Sequence, residues 1–344
     1  MNGCELDDWF PLEKQQQYVA QLVGQVGLTK CRAECFIRLW AYLLLQQQQE
    51  NTPKFKPPLT KLELPIGWVS CTHRQAAELF YSGKERGSDR AAGMMLDKLV
   101  ALGLIQKQFD GNTTNIKIQY DPQLFISKSR VAELVTLHVD TFNPRTDAIS
   151  VANLLARNYN WMNKNASAAP QRIAKLLRHW AAQYPSGMRV LRRDDNLNPV
   201  GFYLLYPIAT QSESNFFCPP SKSLHLSSAT DIDPIQMAVP PDPNCQAVFI
   251  RSWVIDRPYL AQSRILFLTD VQQVLSQMLE EFPNLCDLYT MIIHPSYEQL
   301  ALALGFQKTS SDAQLSVYWV YLAVDRFLAL NIKQTLTTKK FGRC

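Results

Sequence analysis

Residues 72–120 constrain the fold more tightly than any other part of this 344-residue chain, because each of their elements carries its own start and stop signal. Thr72 is a hydroxyl N-cap ahead of a short helix, His73 to Tyr81, with Ala76, Ala77, Leu79 and Phe80 available for burial. Ser82 and Gly83 break the chain. Ser88 then caps a second helix, in which Met94, Met95, Leu99 and Leu102 recur at helical spacing. Leu102-Gly103-Leu104-Ile105 ends that helix on glycine and starts a strand. The strand IQKQF meets Asp110-Gly111-Asn112, a hairpin signal, and a second alternating strand runs from Asn115 to Tyr120. Upstream, Phe36, Leu39, Trp40 and Leu43 mark an apolar-periodic helix that begins at Leu28 and ends in the proline-rich stretch Asn51 to Pro58.

Charge divides the chain unevenly. Residues 1–27 hold four acidic side chains against Lys14, and residues 28–120 hold 13 Lys/Arg against 8 Asp/Glu. The second segment is the most basic per residue, an electrostatic hint of a polyanionic partner. The order helix, turn, helix, hairpin resembles bacterial winged helix-turn-helix DNA-binding domains, on the phrases RQAAELF, GSDRAAGMMLDKLVALGLI and FDGNTTNIKI. The resemblance implies that the second helix enters the major groove of double-stranded DNA. Ser88, Asp89 and Arg90 would then face base edges, with Arg90 able to make a bidentate contact to guanine. Arg74, Lys84, Arg86 and Lys117 would contact phosphate oxygens, and Thr113 and Thr114 would add hydroxyl contacts at the wing tip. Such modules also serve protein interaction. The helix around Trp40 is a candidate contact for a homodimer.

Beyond residue 130, strand and helix signals alternate, as in an α/β or α+β layer fold. Helical segments are expected at Ile149–Tyr159, Ala169–Tyr184, Ile265–Phe282 and Tyr297–Leu304, the last ending at Gly305. Strands are expected at Met188–Arg193, Val200–Ile208, Ala247–Ile255, Asp287–Ile293 and Val317–Val324, with a long loop, six prolines in it, over residues 210–246. This order resembles the GNAT acetyltransferase superfamily, on MRVLRRDDNLNPVGFYLLYPI, IRSWVIDRPYLAQSRILFLTDVQQVL, LYTMIIHPSY and LALALGFQKT with its terminal Leu-Gly-Phe. The fold class expected is therefore α+β / α/β multidomain: a helical extension (1–27), a winged helix-turn-helix (28–128), a GNAT-like mixed-sheet domain (129–330) and a tail (331–344).

The resemblance implies acetyl-CoA as cofactor, its pyrophosphate held by a glycine-rich loop at a helix N-terminus. Here the corresponding loop is Tyr259-Leu260-Ala261-Gln262-Ser263-Arg264-Ile265, which has no glycine. Ile255, Gln262, Ser263 and Arg264 are the candidate cofactor contacts. The family's general acid is a tyrosine four residues before the Leu-Gly-Phe glycine, a position held here by Ala301. Tyr297 is the nearest catalytic substitute, with His294 and Tyr289 as further ones, and Asp256 is the nearest general base. Three readings follow: a DNA-binding transcriptional regulator with a non-catalytic sensor or assembly domain, an N-acetyltransferase with a targeting module, and a protein-interaction scaffold.

Other chemistries leave little trace. There is no P-loop, GxGxxG, HExxH or GxSxG pattern. The eight cysteines include no CxxC pair and read as reduced thiols. Cys31 and Cys35 lie one helical turn apart and, with Cys71 and His73, have the chemistry of four zinc ligands. Their spacing matches no familiar zinc knuckle, and buried thiols are the alternative. No apolar run reaches membrane-spanning length and the N-terminus is acidic, so a cytoplasmic location without membrane contact is expected.

Overall fold

The computed structural model describes residues 3–23, 28–51, 58–59, 61–82, 87–109, 111, 113–120, 135–159, 169–220, 233–311 and 317–338. The chain forms two compact units, one built on Met1–Asp121 and one on Pro122–Lys339.

The first unit contains α1 (Gly3–Trp9), α2 (Leu12–Leu22), α3 (Lys30–Asn51), β1 (Val69–Ser70), α4 (His73–Tyr81), α5 (Asp89–Ala101), β2 (Ile105–Phe109) and β3 (Thr114–Ile118). Its sheet runs β1-β3-β2, all antiparallel, with Ile105 opposite Ile118 and Phe109 opposite Thr114. Thr72 and Gln75 form a reciprocal capping box at the start of α4, and the Ser88 hydroxyl accepts from Ala91 N–H at the start of α5. Gly103, at φ 69°, closes α5 in the left-handed conformation that glycine adopts without a Cβ clash. The core is α3, whose Phe36, Leu39, Trp40 and Leu43 are all buried, with Trp40 and Phe36 both edge-on to Tyr120. The first 27 residues add to this core: Leu6, Phe10, Val19 and Leu22 are buried too.

The second unit is a seven-stranded mixed sheet in the order β4-β5-β6-β7-β8-β10-β9. Its strands are β4 (Leu137–Thr141), β5 (Met188–Arg193), β6 (Pro199–Pro207), β7 (Ala247–Ile255), β8 (Asp287–Ile292), β9 (Gln307–Ser311) and β10 (Tyr318–Ala323). All neighbours pair antiparallel except β7 and β8. Its helices are α6 (Ala148–Tyr159), α7 (Ala169–Gln183), α8 (Leu260–Glu281), α9 (Glu298–Leu304), α10 (Val324–Leu328) and α11 (Ile332–Thr338). Trp180, Phe202, Tyr206, Phe216, Phe249 and Trp319 belong to one buried cluster with the apolar faces of α6 and α7. On α8, Asp270 accepts from Arg189 Nε and Nη2 at 3.0 and 2.9 Å and from the Tyr203 hydroxyl at 2.5 Å, which ties the helix to β5 and β6. Arg192 forks onto Asp147 and also donates to Asp140 and to the Thr141 carbonyl, which locks β4 and the start of α6 onto β5.

Three sequence expectations change. The segment 260–264, expected as loop, forms the first turns of α8, which starts at Leu260 rather than Ile265. The stretch 210–246, expected as a long loop, begins with a 3-10 segment, Thr210–Phe217, and buries Phe216 and Ile235 in the sheet's main cluster. Within 331–344, expected as a tail, Ile332–Thr338 is helical and buries Ile332 and Leu336.

Candidate functional site

The parallel pair β7/β8 is registered only from Ala247↔Asp287 to Ile250↔Thr290. β7 then continues alone on that side to Ile255, held from the other side by β6. The sidechain of Tyr297 enters at this parting of the strands. Its hydroxyl accepts from Ile255 N–H at 3.3 Å, and its ring packs edge-on against Trp253 at 5.5 Å. His294 is buried, accepts from Ser296 N–H through Nδ1, and lies 5.9 Å from the Tyr297 ring. Accepting at Nδ1 fixes the neutral Nε2–H tautomer in that arrangement.

After β7 the chain turns at once into helix. Asp256 caps the 3-10 turn Arg257–Tyr259 by accepting from Arg257 N–H at 3.1 Å, and its second oxygen pairs with Arg157 at 3.5 Å. Leu260 then opens α8. Ser263 is buried and its hydroxyl donates to the Tyr259 carbonyl at 2.6 Å. Gln262 is exposed, its amide 3.5 Å from the Val135 carbonyl. Burial pulls the Arg257 and Arg264 guanidinium groups below their ordinary range.

These contacts test the implied cofactor. Pyrophosphate binding at a helix start needs unspent N–H groups and room for backbone approach. Here Asp256 takes the Arg257 N–H of the 3-10 turn, the Ser263 hydroxyl and the Ile255 N–H are engaged within the chain, and the first turn of α8 itself has no side-chain cap. What the segment lacks is glycine: a Cβ at every position from Tyr259 to Ile265 limits how closely its backbone can approach a pyrophosphate. Among the catalytic candidates, Asp256 caps the 3-10 turn and pairs with Arg157, and the Tyr297 hydroxyl meets the end of β7 at Ile255. Tyr289 stacks on Phe216 at 4.6 Å, and burial pushes its phenol up to about 12, the profile of a packing residue.

In the first unit, Ser88, Asp89 and Arg90 form an exposed first turn of α5. Arg74 is exposed and pairs with Glu78 at 3.5 Å, so part of its charge is spent along α4. Lys117 is half-buried on β3 opposite Gln106, and Thr113 is half-buried just before it. Lys84 and Arg86 lie outside the described residues. The Cys31, Cys35, Cys71 and His73 set does not gather: among the described residues no group of three or more His, Cys, Asp or Glu is placed to hold a metal ion. Burial pushes the Cys71 thiol up to about 12, and the His73 ring sits against Gly93 of α5, where an added Cβ would come within 3.1 Å of it. Sequence reasoning missed Arg157 and Trp253, whose partners lie 99 and 44 residues away along the chain.

No family model and no curated protein match the chain. Among solved structures it is similar to FdhC, described as a nucleotide-linked sugar GNAT, at 12% identity over 60% of this chain and 94% of that one, with a TM-score of 0.35. A GNAT-family acetyltransferase from Staphylococcus aureus Mu50 is 11% identical over 55% of this chain and 99% of that one, with a TM-score of 0.35. The ribosomal-protein-S5-alanine acetyltransferase of Vibrio fischeri is 14% identical over 55% and 93%, with a TM-score of 0.32. The second unit is a mixed-sheet α/β domain with one parallel pair, β7/β8, in its strand order. No helix among the described residues is long and apolar enough to cross a membrane.

Proposed function

We propose that the chain is a DNA-binding regulator in which the first unit is a winged helix-turn-helix that docks on double-stranded DNA, and the GNAT-like unit is a non-catalytic sensor. The observation that carries this is the capped, exposed first turn of α5, with Ser88, Asp89 and Arg90 presented together on the surface of the unit that also holds the β2-β3 hairpin. A helix start of this kind reads base edges in the major groove. Support for the non-catalytic half comes from the engaged Ile255 N–H, the Asp256 cap and the helical segment 260–264. Regulation requires the sensor's ligand to have different affinities for the DNA-bound and free states.

Fluorescence anisotropy of the full chain on duplexes, across a salt series, tests the docking. Arg90→Ala is expected to relax sequence preference, at about 1–3 kcal/mol for a lost bidentate base contact. Lys117→Ala is expected to weaken binding to all sequences and make the salt slope shallower by about one. Duplex binding unchanged in both variants would rule the docking out. Micromolar binding of acetyl-CoA to the full chain by calorimetry, followed by turnover, would instead return the acetyltransferase reading.

A further inference from the structure

Arg251 is the one charged residue of β7 and lies where the ladder slips. Leu204 pairs with Ser252 and Leu205 with Ile250, so Arg251 is the extra residue of a β-bulge in β7. Bulges re-aim side chains, and here the bulge turns a guanidinium into the unit's interior. The Arg251 side chain is only 5% exposed and lies over the rings of Trp180 and Phe249, at 5.4 and 5.2 Å. Its sole charge partner among the described residues is Asp233, equally buried, with Nη2 to Oδ2 at 3.1 Å.

The pair balances charge without satisfying hydrogen bonds. Among the described residues, Arg251 Nη1 and Nη2, Asp233 Oδ2 and Trp180 Nε1 are buried and make no hydrogen bond. Asp233 meets the guanidinium through one oxygen: Oδ2 lies 3.1 Å from Nη2, while Oδ1 accepts from Ile235 N–H at 3.1 Å. Ile235 and its neighbours are in turn laced to the end of β6. The Tyr206 hydroxyl donates to the Ile235 carbonyl, Ala209 N–H to the Gln236 carbonyl and Ala238 N–H to the Pro207 carbonyl. The carboxylate is therefore held to one side of a fork whose preferred partner is a planar, two-oxygen anion.

We infer that Arg251 is the anchor of a binding site for a small monocarboxylate, with Asp233 as the internal carboxylate that gives way to it. Such a ligand brings both oxygens to Nη1 and Nη2. It replaces Asp233 rather than joining it, since two carboxylates on one buried guanidinium would leave a net buried negative charge. Displacement frees Asp233 and loosens its turn at Ile235. That gives the sensor proposed above its ligand class, and the inference rests on that reading only for the effect on DNA.

Calorimetry on the full chain with sodium acetate as probe, at ionic strength held constant with sodium chloride, tests the site. Saturable binding at one site is expected. Asp233→Asn removes the charged competitor and should tighten binding at least about tenfold, and Arg251→Lys, which keeps the charge but loses the fork, should weaken it by a similar factor. Absence of acetate binding in both the native chain and Asp233→Asn would overturn the site, as would equal binding by Arg251→Lys. Acetate binding that leaves duplex affinity unchanged would keep the site and sink the regulator reading. Duplex binding with no acetate binding would do the reverse.

Discussion

Asp270 offers the sharpest test of how the second unit is held together. Its carboxylate is buried on α8 and receives three hydrogen bonds, two from Arg189 on β5 and one from Tyr203 on β6. Asp270→Asn keeps the shape, removes the charge and turns one acceptor oxygen into a donor aimed at a guanidinium. Breaking a buried ion pair by changing one partner costs about 3–5 kcal/mol. Arg189 retains 19% side-chain exposure, so water recovers part of that, and the expected cost is about 2–4 kcal/mol. Because the chain has two units, one unfolding midpoint would mix their stabilities. Amide hydrogen exchange at Tyr203 and Leu204 on β6 reads the second unit alone, and the expected loss should speed exchange there about 30- to 700-fold. The triple variant Arg189→Met, Asp270→Leu, Tyr203→Phe replaces the whole cluster with apolar groups and should recover most of the loss, since a buried pair contributes little beyond its hydrophobic replacement. If Asp270→Asn speeds β6 exchange less than about fivefold, or the triple variant exchanges as fast as the single one, the reasoning fails.

Two further outcomes follow from the same contacts. In the folded chain at pH 8, Cys71 and Cys245, pushed up by burial to about 12 and about 11, should alkylate far more slowly than the exposed Cys31 and Cys218; mass spectrometry of timed iodoacetamide reactions reads this, and equal rates would refute it. At Asp140, burial acts to raise the carboxyl, but the Arg192 and Thr141 hydrogen bonds outweigh it and hold the group below its usual range. A folded-state value below the unfolded one stabilises the chain above the ordinary carboxylate range near pH 4 and is lost as pH falls through the lowered value. Protection of the Leu191 amide on β5, compared between the two chains at each pH from 5 to 3, should therefore fall more steeply for the native chain than for Asp140→Asn, and parallel curves would count against the pairing.

What could be read from the sequence was what is written locally. The caps Thr72 and Ser88, the glycine at position 103 and the glycine at position 305, at φ 96°, each state their geometry within a few residues, and the helices and strands they bound fall within two residues of expectation. What was not legible depended on distant partners. The strand β9, QKTSS, has no apolar pattern and exists because β10 pairs with it. The proline-rich stretch 210–246 looks like loop in composition, yet Phe216 is fully buried because Phe249, Tyr289 and Trp319 surround it. Arg251 was legible as the one charge in AVFIRSWVI, but only the bulge and Asp233 show where that charge goes.

The segment after β7 shows how a missing residue type carries its own structural meaning. Glycines in a phosphate-binding loop do two things: they let the backbone approach the anion, and they stop the helix from starting too early. Leu260, Ala261, Gln262 and Arg264 are good helix formers, so once the glycines are gone nothing delays the helix, and α8 starts directly behind a single 3-10 turn. The Arg257 N–H, which a looser loop could aim at a ligand, is then spent on Asp256. Positive charge persists nearby in Arg257 and Arg264, but charge attracts an anion only to where donors can receive it. Restoring glycine at position 261 or 263 alone would therefore not rebuild the cradle while Asp256 still caps the turn. Recovery of acetyl-CoA binding would need the cap removed as well, and binding restored by a glycine alone would show that backbone access was the only barrier.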